Sequence, residues 1–157
     1  MSQVGWSKCN VDAGNMAGLG VGVGAVCRDD RGELQGCGMM QQRVGWEMRV
    51  TEARVVVEGV RLAKKLGASK LVESDCLQVI SSLTSKSVGA SAFCLIIDDI
   101  LDSVKHFDVV VWSFIKRAGN QVAHMMAHLQ PMEYDYRCWV DNFLDTINRY
   151  AEFDILK

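Results

Sequence analysis

The sequence contains a single proline, Pro131, and neither an internal repeat nor a low-complexity linker. This reads as one domain over residues 1–157 rather than modules on tethers. Its six cysteines (Cys9, Cys27, Cys37, Cys76, Cys94 and Cys138) include no C-x-x-C pair, so neither a zinc ribbon nor a dithiol redox motif is indicated. Reduced, intracellular thiols are the expectation. No apolar run approaches the roughly 18 residues of a membrane span, and no N-terminal stretch reads as a signal peptide. A soluble, intracellular protein follows, with its organelle not legible. An excess of either charge is also missing: 17 basic side chains against 19 acidic ones give a formal net charge of −2. Phosphate is therefore not attracted by the overall field, and a nucleic-acid partner would have to be held by local groups.

What the sequence does have is apolar material, 49% of its residues, enough to bury a core without metal or disulfide staples. Lys8 to Ala13 read as a short strand. Gly18 to Gln42 read as two more, joined at Asp29-Asp30-Arg31-Gly32. Gly18, Gly20, Gly22 and Gly24 imitate a G-x-G phosphate loop but lie inside a strand pattern, where glycine more often admits a neighbouring backbone or ligand. From Thr51 to Leu66 the period is helical, with Ala53, Val56, Val57, Val60 and Ala63 on one stripe. A strand at Lys70 to Ser74, helices near 76–83 and 92–105, a strand at Phe107 to Phe114 and a helix from Asn120 to about Leu129 follow. After Pro131 the spacing of Trp139, Phe143, Ile147 and Tyr150 predicts a final amphipathic helix, about 138–151. Strands first, then alternating helices and strands, describe an α/β protein with a mixed sheet.

Four side chains fall at element ends: Asp12, Glu52, Asp75 and His124. Each has an ordinary reading. Asp12 beside Asn10 could be a hydrogen-bonded structural acid, Glu52 a first-turn acid favoured by the helix dipole, and Asp75, like Ser74, a helix cap. Together they say more. If strands one and four pair in parallel, Asp12 lies near Asp75, while Glu52 borders the buried stripe of its helix. Three converging carboxylates repel unless cations neutralise them, and hard divalent ions do so through oxygen ligands. His124 and His128 form an i, i+4 pair, a spacing that zinc sites use, without the glutamate after the first histidine that metalloproteases require.

The blocks NVDAG (Asn10 to Gly14), TEARVVVEGV (Thr51 to Val60), VESDCLQVI (Val72 to Ile80) and GNQVAHMMAH (Gly119 to His128) resemble, in order, the four motif blocks of ribonuclease H-like domains of the type-1 group. The resemblance is closest to the plant, retroelement-related, reverse-transcriptase-like branch, and it covers about 8–129. It implies a ribonuclease H-like α/β fold, a five-stranded mixed sheet flanked by helices. It also implies a metal-dependent endonuclease that hydrolyses the RNA strand of RNA–DNA hybrids with two magnesium or manganese ions. Asp12, Glu52 and Asp75 fall on the family's metal-holding acids, and His124, on the place where bacterial members carry a fourth aspartate, is expected as a fourth catalytic and metal-holding residue. Asn120, Arg117 and Lys116 are the candidate nucleic-acid contacts, although Lys116 and Arg117 read equally as a solvated loop.

Two further features depart from the family. The loop IKRAG lacks the histidine that many active members use for product release, and the segment between Leu83 and Phe107 carries only Lys86 and Lys105 as bases, so no basic handle is present. Both bear on turnover and affinity rather than on fold. The contrasting expectation is a catalytically weak or inactive module that binds nucleic acid, or a protein partner through its final aromatic helix.

Overall fold

Strands β1 (Ser7–Asn15), β2 (Val21–Arg28) and β3 (Leu34–Gln42) form an antiparallel meander in the computed structural model. The structure describes residues 7–15, 20–42, 47–67, 70–86, 89–128, 137–140, 143 and 145–155. The turn between β2 and β3 is the expected one. Asp29 Oδ1 accepts the backbone N–H groups of Arg31 and Glu33 at 3.0 and 2.8 Å, and Gly32 takes a φ of 82° that a β-carbon would oppose.

The chain continues through α1 (Met48–Lys65), β4 (Lys70–Ser74), α2 (Leu77–Ser85), α3 (Ala92–Ser103) and β5 (Val111–Phe114). It then passes to α4 (Gln121–Ala127), β6 (Arg137–Trp139) and α5 (Asp145–Ile155). The strand order is β5-β4-β1-β2-β3-β6, with β1, β4 and β5 mutually parallel. All five expected strands are in the sheet, and the three-residue β6 extends it beyond β3.

Alternation along the strands divides the interior in two. Val11, Ala13, Val23 and Ala25 face Val55, Val56 and Leu62 of α1, Val79 and Leu83 of α2, and Phe93, Ile97 and Ile100 of α3. On the other face, Val26, Cys37 and Met39 meet Val122 and Met126 of α4 and Ile147 and Ala151 of α5. One glycine of the alternating run sets how closely the second layer lies. A β-carbon on Gly24 would stand 2.3 Å from the Ala123 carbonyl oxygen and 2.7 Å from the Ala127 nitrogen, so α4 rests directly on the β2 backbone. No nucleotide loop is present there.

Four expectations are corrected. The strand expected over Phe107 to Phe114 keeps only its second half, because β4 offers partners to residues 111–114 and no further. Val104–His106 form a 3-10 turn just ahead of it. Trp139 lies on β6, where Arg137–Trp139 pair with Cys37–Met39, so the last helix starts at Asp145 rather than near 138. The apolar stripe of that helix is spent inside: Ile147 is fully buried, Ala151 is 6% exposed, and Arg28 Nη1 donates to the Ala151 carbonyl at 3.1 Å. Ile147 and Ala151 are therefore not free to dock a protein partner, and the Tyr150 side chain lies outside the described residues.

The fourth correction concerns the thiols. Cys9 and Cys27 stand opposite each other across β1 and β2, with Cα atoms 4.1 Å apart, and form a disulfide. Side chains directly opposed in an antiparallel pair meet on one face, and this pairing depends on register rather than on sequence spacing. Cys37, Cys76, Cys94 and Cys138 are unpaired, and burial pushes the Cys37 thiol up to about 12, which leaves it un-ionised at neutral pH. Among the described residues, no helix is long and apolar enough to cross a membrane.

Candidate metal centre

Parallel pairing matches Val11 with Ser74. Asp12 and Asp75 each come one residue later, so the two carboxylates leave neighbouring strands at the same level. Asp12 also opposes Gly24, on the face that α4 covers. Glu52 arrives from the other layer. α1 begins at Met48, earlier than expected, so Glu52 is a second-turn residue, flanked by the fully buried Ala53 and by Thr51 at 1% exposure.

One oxygen from each of Asp12, Glu52 and Asp75 lies within 4.8 Å of the others. Among the described residues no other His, Cys, Asp or Glu set of three converges in this way. Ser74 is fully buried, and its Oγ accepts the Cys76 N–H at 3.1 Å in a tight turn that leads into α2, whose own N-cap residue, Cys76, makes no side-chain capping bond. The Asp75 carboxylate turns to the cluster and to Arg117, whose Nε stands 3.4 Å from Oδ2.

The electrostatics are those of a site short of positive charge. Burial, followed by the charges of Asp12 and Asp75, pushes the Glu52 carboxyl up to about 8, against a smaller lowering by Arg117. Burial and then Asp75 raise Asp12, while His124 pulls the other way. Glu52 Oε2 is buried and accepts no hydrogen bond from the described residues. An orphaned carboxylate oxygen beside two more carboxylates is an all-oxygen donor set, which fits a hard divalent cation such as magnesium or manganese.

The remaining candidates divide. His124 Nδ1 lies 2.7 Å from Asp12 Oδ2, so the imidazole acts on an acid of the triad rather than adding a fourth converging ligand atom. Asn120 is 1% exposed, and its Nδ2 donates to the Val11 carbonyl at 2.8 Å. It sits inside, tying the start of α4 to β1 one residue before Asp12, and offers no surface to a nucleic acid. Arg117 is at the mouth of the cluster, with its side chain 70% exposed, and Lys116 is exposed next to it. Ser74 and Asp75, both read as possible helix caps, separate here: Ser74 Oγ closes a local turn on the Cys76 N–H, and neither side chain caps α2.

Comparison with known proteins agrees with this architecture. No curated protein matches the sequence. Among solved structures, the N-terminal RNase H domain of a Mycobacterium tuberculosis protein superposes with a TM-score of 0.70 at 21% identity, over 79% of this chain and 91% of that one. RNase H1 from the halophilic archaeon Halobacterium salinarum gives 0.66 at 18%, over 79% and 96%. LC11-RNase H1, isolated from compost by a metagenomic approach and solved in complex with an RNA/DNA hybrid, gives 0.68 at 14%, over 78% and 94%. At these identities the likeness establishes the fold, that of ribonuclease H. The family described as reverse transcriptase-like matches residues 10–130, a span that holds all three acids and both histidines of α4 and its cap, and the chain belongs to that family.

Proposed function

We propose that the protein is a divalent-metal-dependent endonuclease that cleaves the RNA strand of RNA–DNA hybrids. The observation that carries this is the convergence of Asp12, Glu52 and Asp75 with one buried oxygen left unpartnered. Carboxylates held together with Glu52 and Asp12 pushed up by burial and by neighbouring acids are what a cation site looks like before its cation is considered. The RNA/DNA hybrid in the LC11-RNase H1 complex supplies the substrate class.

Asp12, Glu52 and Asp75 would hold the metal, magnesium or manganese, two ions in the full arrangement. When bound, these ions neutralise the phosphodiester's charge and lower the barrier to attack by water and to departure of the leaving oxygen. The chain's own groups do the rest. β1 and β4 fix two carboxylates at one level, and α1 brings the third from the opposite layer. His124 holds Asp12 in one orientation through its imidazole N–H. Arg117, paired with Asp75 while the acids are unneutralised, is placed to turn to a substrate phosphate once a cation takes over Asp75. Recognition of the RNA strand would rest on its 2′-hydroxyls and on hybrid shape rather than on base sequence.

The direct test is incubation with a labelled RNA–DNA hybrid, with and without magnesium or manganese, alongside single-stranded RNA. Metal-dependent nicking of the hybrid's RNA strand, with single-stranded RNA largely intact, is expected. Undiminished cleavage by Asp75→Asn would remove Asp75 from the metal site.

A further inference from the structure

Beside the triad, α4 and its C-cap carry two imidazoles one helical turn apart, His124 and His128, with ring centroids 4.4 Å apart and planes inclined at 46°. Their hydrogen bonds fix which nitrogen each can offer. His124 Nδ1 stands 2.7 Å from an Asp12 carboxylate oxygen, and His128 Nδ1 stands 2.9 Å from the His124 carbonyl oxygen. An ionised carboxylate and a carbonyl accept hydrogen bonds and do not donate them, so both Nδ1 atoms carry the proton. Each Nε2 is left with a lone pair. A ring N–H given to a carboxylate or a backbone carbonyl, with the other nitrogen open, is the arrangement that metal-ligating histidines use.

The spacing is close. With metal–nitrogen bonds of about 2.0 Å, two imidazoles on one ion have centroids about 4.5 Å apart at a right-angled arrangement and about 5.2 Å apart at a tetrahedral one, so rings 4.4 Å apart must open slightly to share an ion. The His128 ring is held in place by β1. A β-carbon on Gly14 would stand 2.4 Å from His128 Cε1 and 2.5 Å from Nε2, so the ring lies over a strand position that only glycine leaves open. Both rings therefore gather on the strand that carries Asp12, one by a hydrogen bond to that residue and the other by packing two residues further on.

We propose that His124 and His128 form a second metal site, which takes one borderline transition cation of the zinc or copper type through the two Nε2 atoms. Imidazole prefers such ions to magnesium, and in first-row order copper binds most tightly, with nickel and zinc behind it. Among the described residues no third side chain joins the pair, so water completes the coordination and affinity is modest. The site is independent of the hydrolase reading, because it needs neither a hybrid nor a filled triad.

Two measurements on the intact protein test it, both without nucleic acid. Zinc is titrated calorimetrically with magnesium in excess to occupy the carboxylates, and the His128 variants separate imidazole binding from any zinc that displaces magnesium there. One zinc per chain is expected, weakened about tenfold or more in His128→Ala and His128→Gln, whose folding is checked by circular dichroism. Electron paramagnetic resonance of the copper-loaded protein should show two coordinating nitrogens, falling to one in either variant. Gly14→Ala keeps both imidazoles but displaces the His128 ring, and should weaken zinc in the same direction. Equal zinc affinity in the native protein and both His128 variants, or a native copper spectrum with fewer than two imidazole nitrogens, overturns the proposal.

Discussion

The two faces of the sheet reach Asp12 in opposite ways. From the α1 layer comes Glu52, a carboxylate with a buried, unpartnered oxygen whose pKa, like that of Asp12, is raised by burial and by neighbouring acids. From the α4 layer comes His124, whose 2.7 Å hydrogen bond opposes the rise that burial and Asp75 impose on the Asp12 carboxyl. One face makes negative charge costly and the other steadies it. A site loaded from one side and pinned from the other is built to change free energy sharply when a cation enters, and the two contributions separate by mutation.

The largest effect should come from removing an acid common to both sides. Asp12→Asn and Asp75→Asn are expected to cut metal-dependent hybrid cleavage on the order of 10³-fold with the fold preserved, measured by single-turnover assay and circular dichroism. A loss confined to Asp12→Asn would mean that Asp75 serves Arg117 rather than a metal.

The α1 side is next. Glu52 has a folded-state pKa of about 8, above its ordinary 4.5, so the native state retains a proton that the unfolded chain releases. Its contribution to stability is fully present below about pH 4.5 and is lost as pH rises through about 8. Metal-free protein should therefore lose on the order of a few kcal/mol of stability between pH 5 and 9. Glu52→Gln should flatten that slope, and saturating magnesium should restore stability to the native protein at the alkaline end while releasing protons. Denaturant melts across this range decide it; an unchanged slope in Glu52→Gln places the strain elsewhere.

On the α4 side, His124→Ala removes a hydrogen bond to a carboxylate, and should lower stability by about 1–2 kcal/mol near neutral pH and activity about tenfold. His124→Asp should shift the metal preference toward magnesium, since it adds a carboxylate oxygen beside the triad in place of an imidazole that only orients Asp12. Identical metal preference in native and His124→Asp protein would put position 124 out of the metal's reach. The smallest effect belongs to the surface. With Arg117 the described base paired at the site and a formal net charge of −2, the slope of log affinity against log salt should be shallow, about −2 to −4, and Arg117→Ala should reduce it by about 1. A steep slope by fluorescence anisotropy would reveal a basic surface elsewhere.

How far the sequence carried the structure depends on what each feature required. Asp12, Glu52 and Asp75 were legible because strand ends and helix stripes are local patterns, and their convergence needs only the parallel pairing of β1 with β4. Gly24 was legible in kind, as a strand glycine admitting a neighbour, but not in identity, because only the packed structure shows that α4 is the neighbour. The Cys9–Cys27 bond was hidden: 18 residues of separation say nothing until the hairpin register is set. The face of α5 was misjudged for a related reason. An amphipathic stripe reads the same whether Ile147 meets a partner or its own sheet, and the short strand β6 broke the helical pattern at Trp139 by supplying β3 with an edge partner. Asn120 was read as a candidate nucleic-acid contact, and nothing local in the sequence shows its burial, which depends on how tightly α4 lies on β1.

Gly24 carries no chemistry, yet it acts as a spacer of zero thickness under a lever. Ordinary contact distances begin near 3.4 Å, and an alanine there would meet the Ala123 carbonyl at 2.3 Å, so α4 would have to lift by roughly an ångström. His124 rides on that helix, and its 2.7 Å reach to Asp12 would open by a comparable amount. An allele with alanine at position 24 would keep every acid, both imidazoles and the arginine, and would still be a partial loss of function. In a population such an allele would pass any inspection of site residues, and its defect would be inherited through a missing gap rather than a missing group.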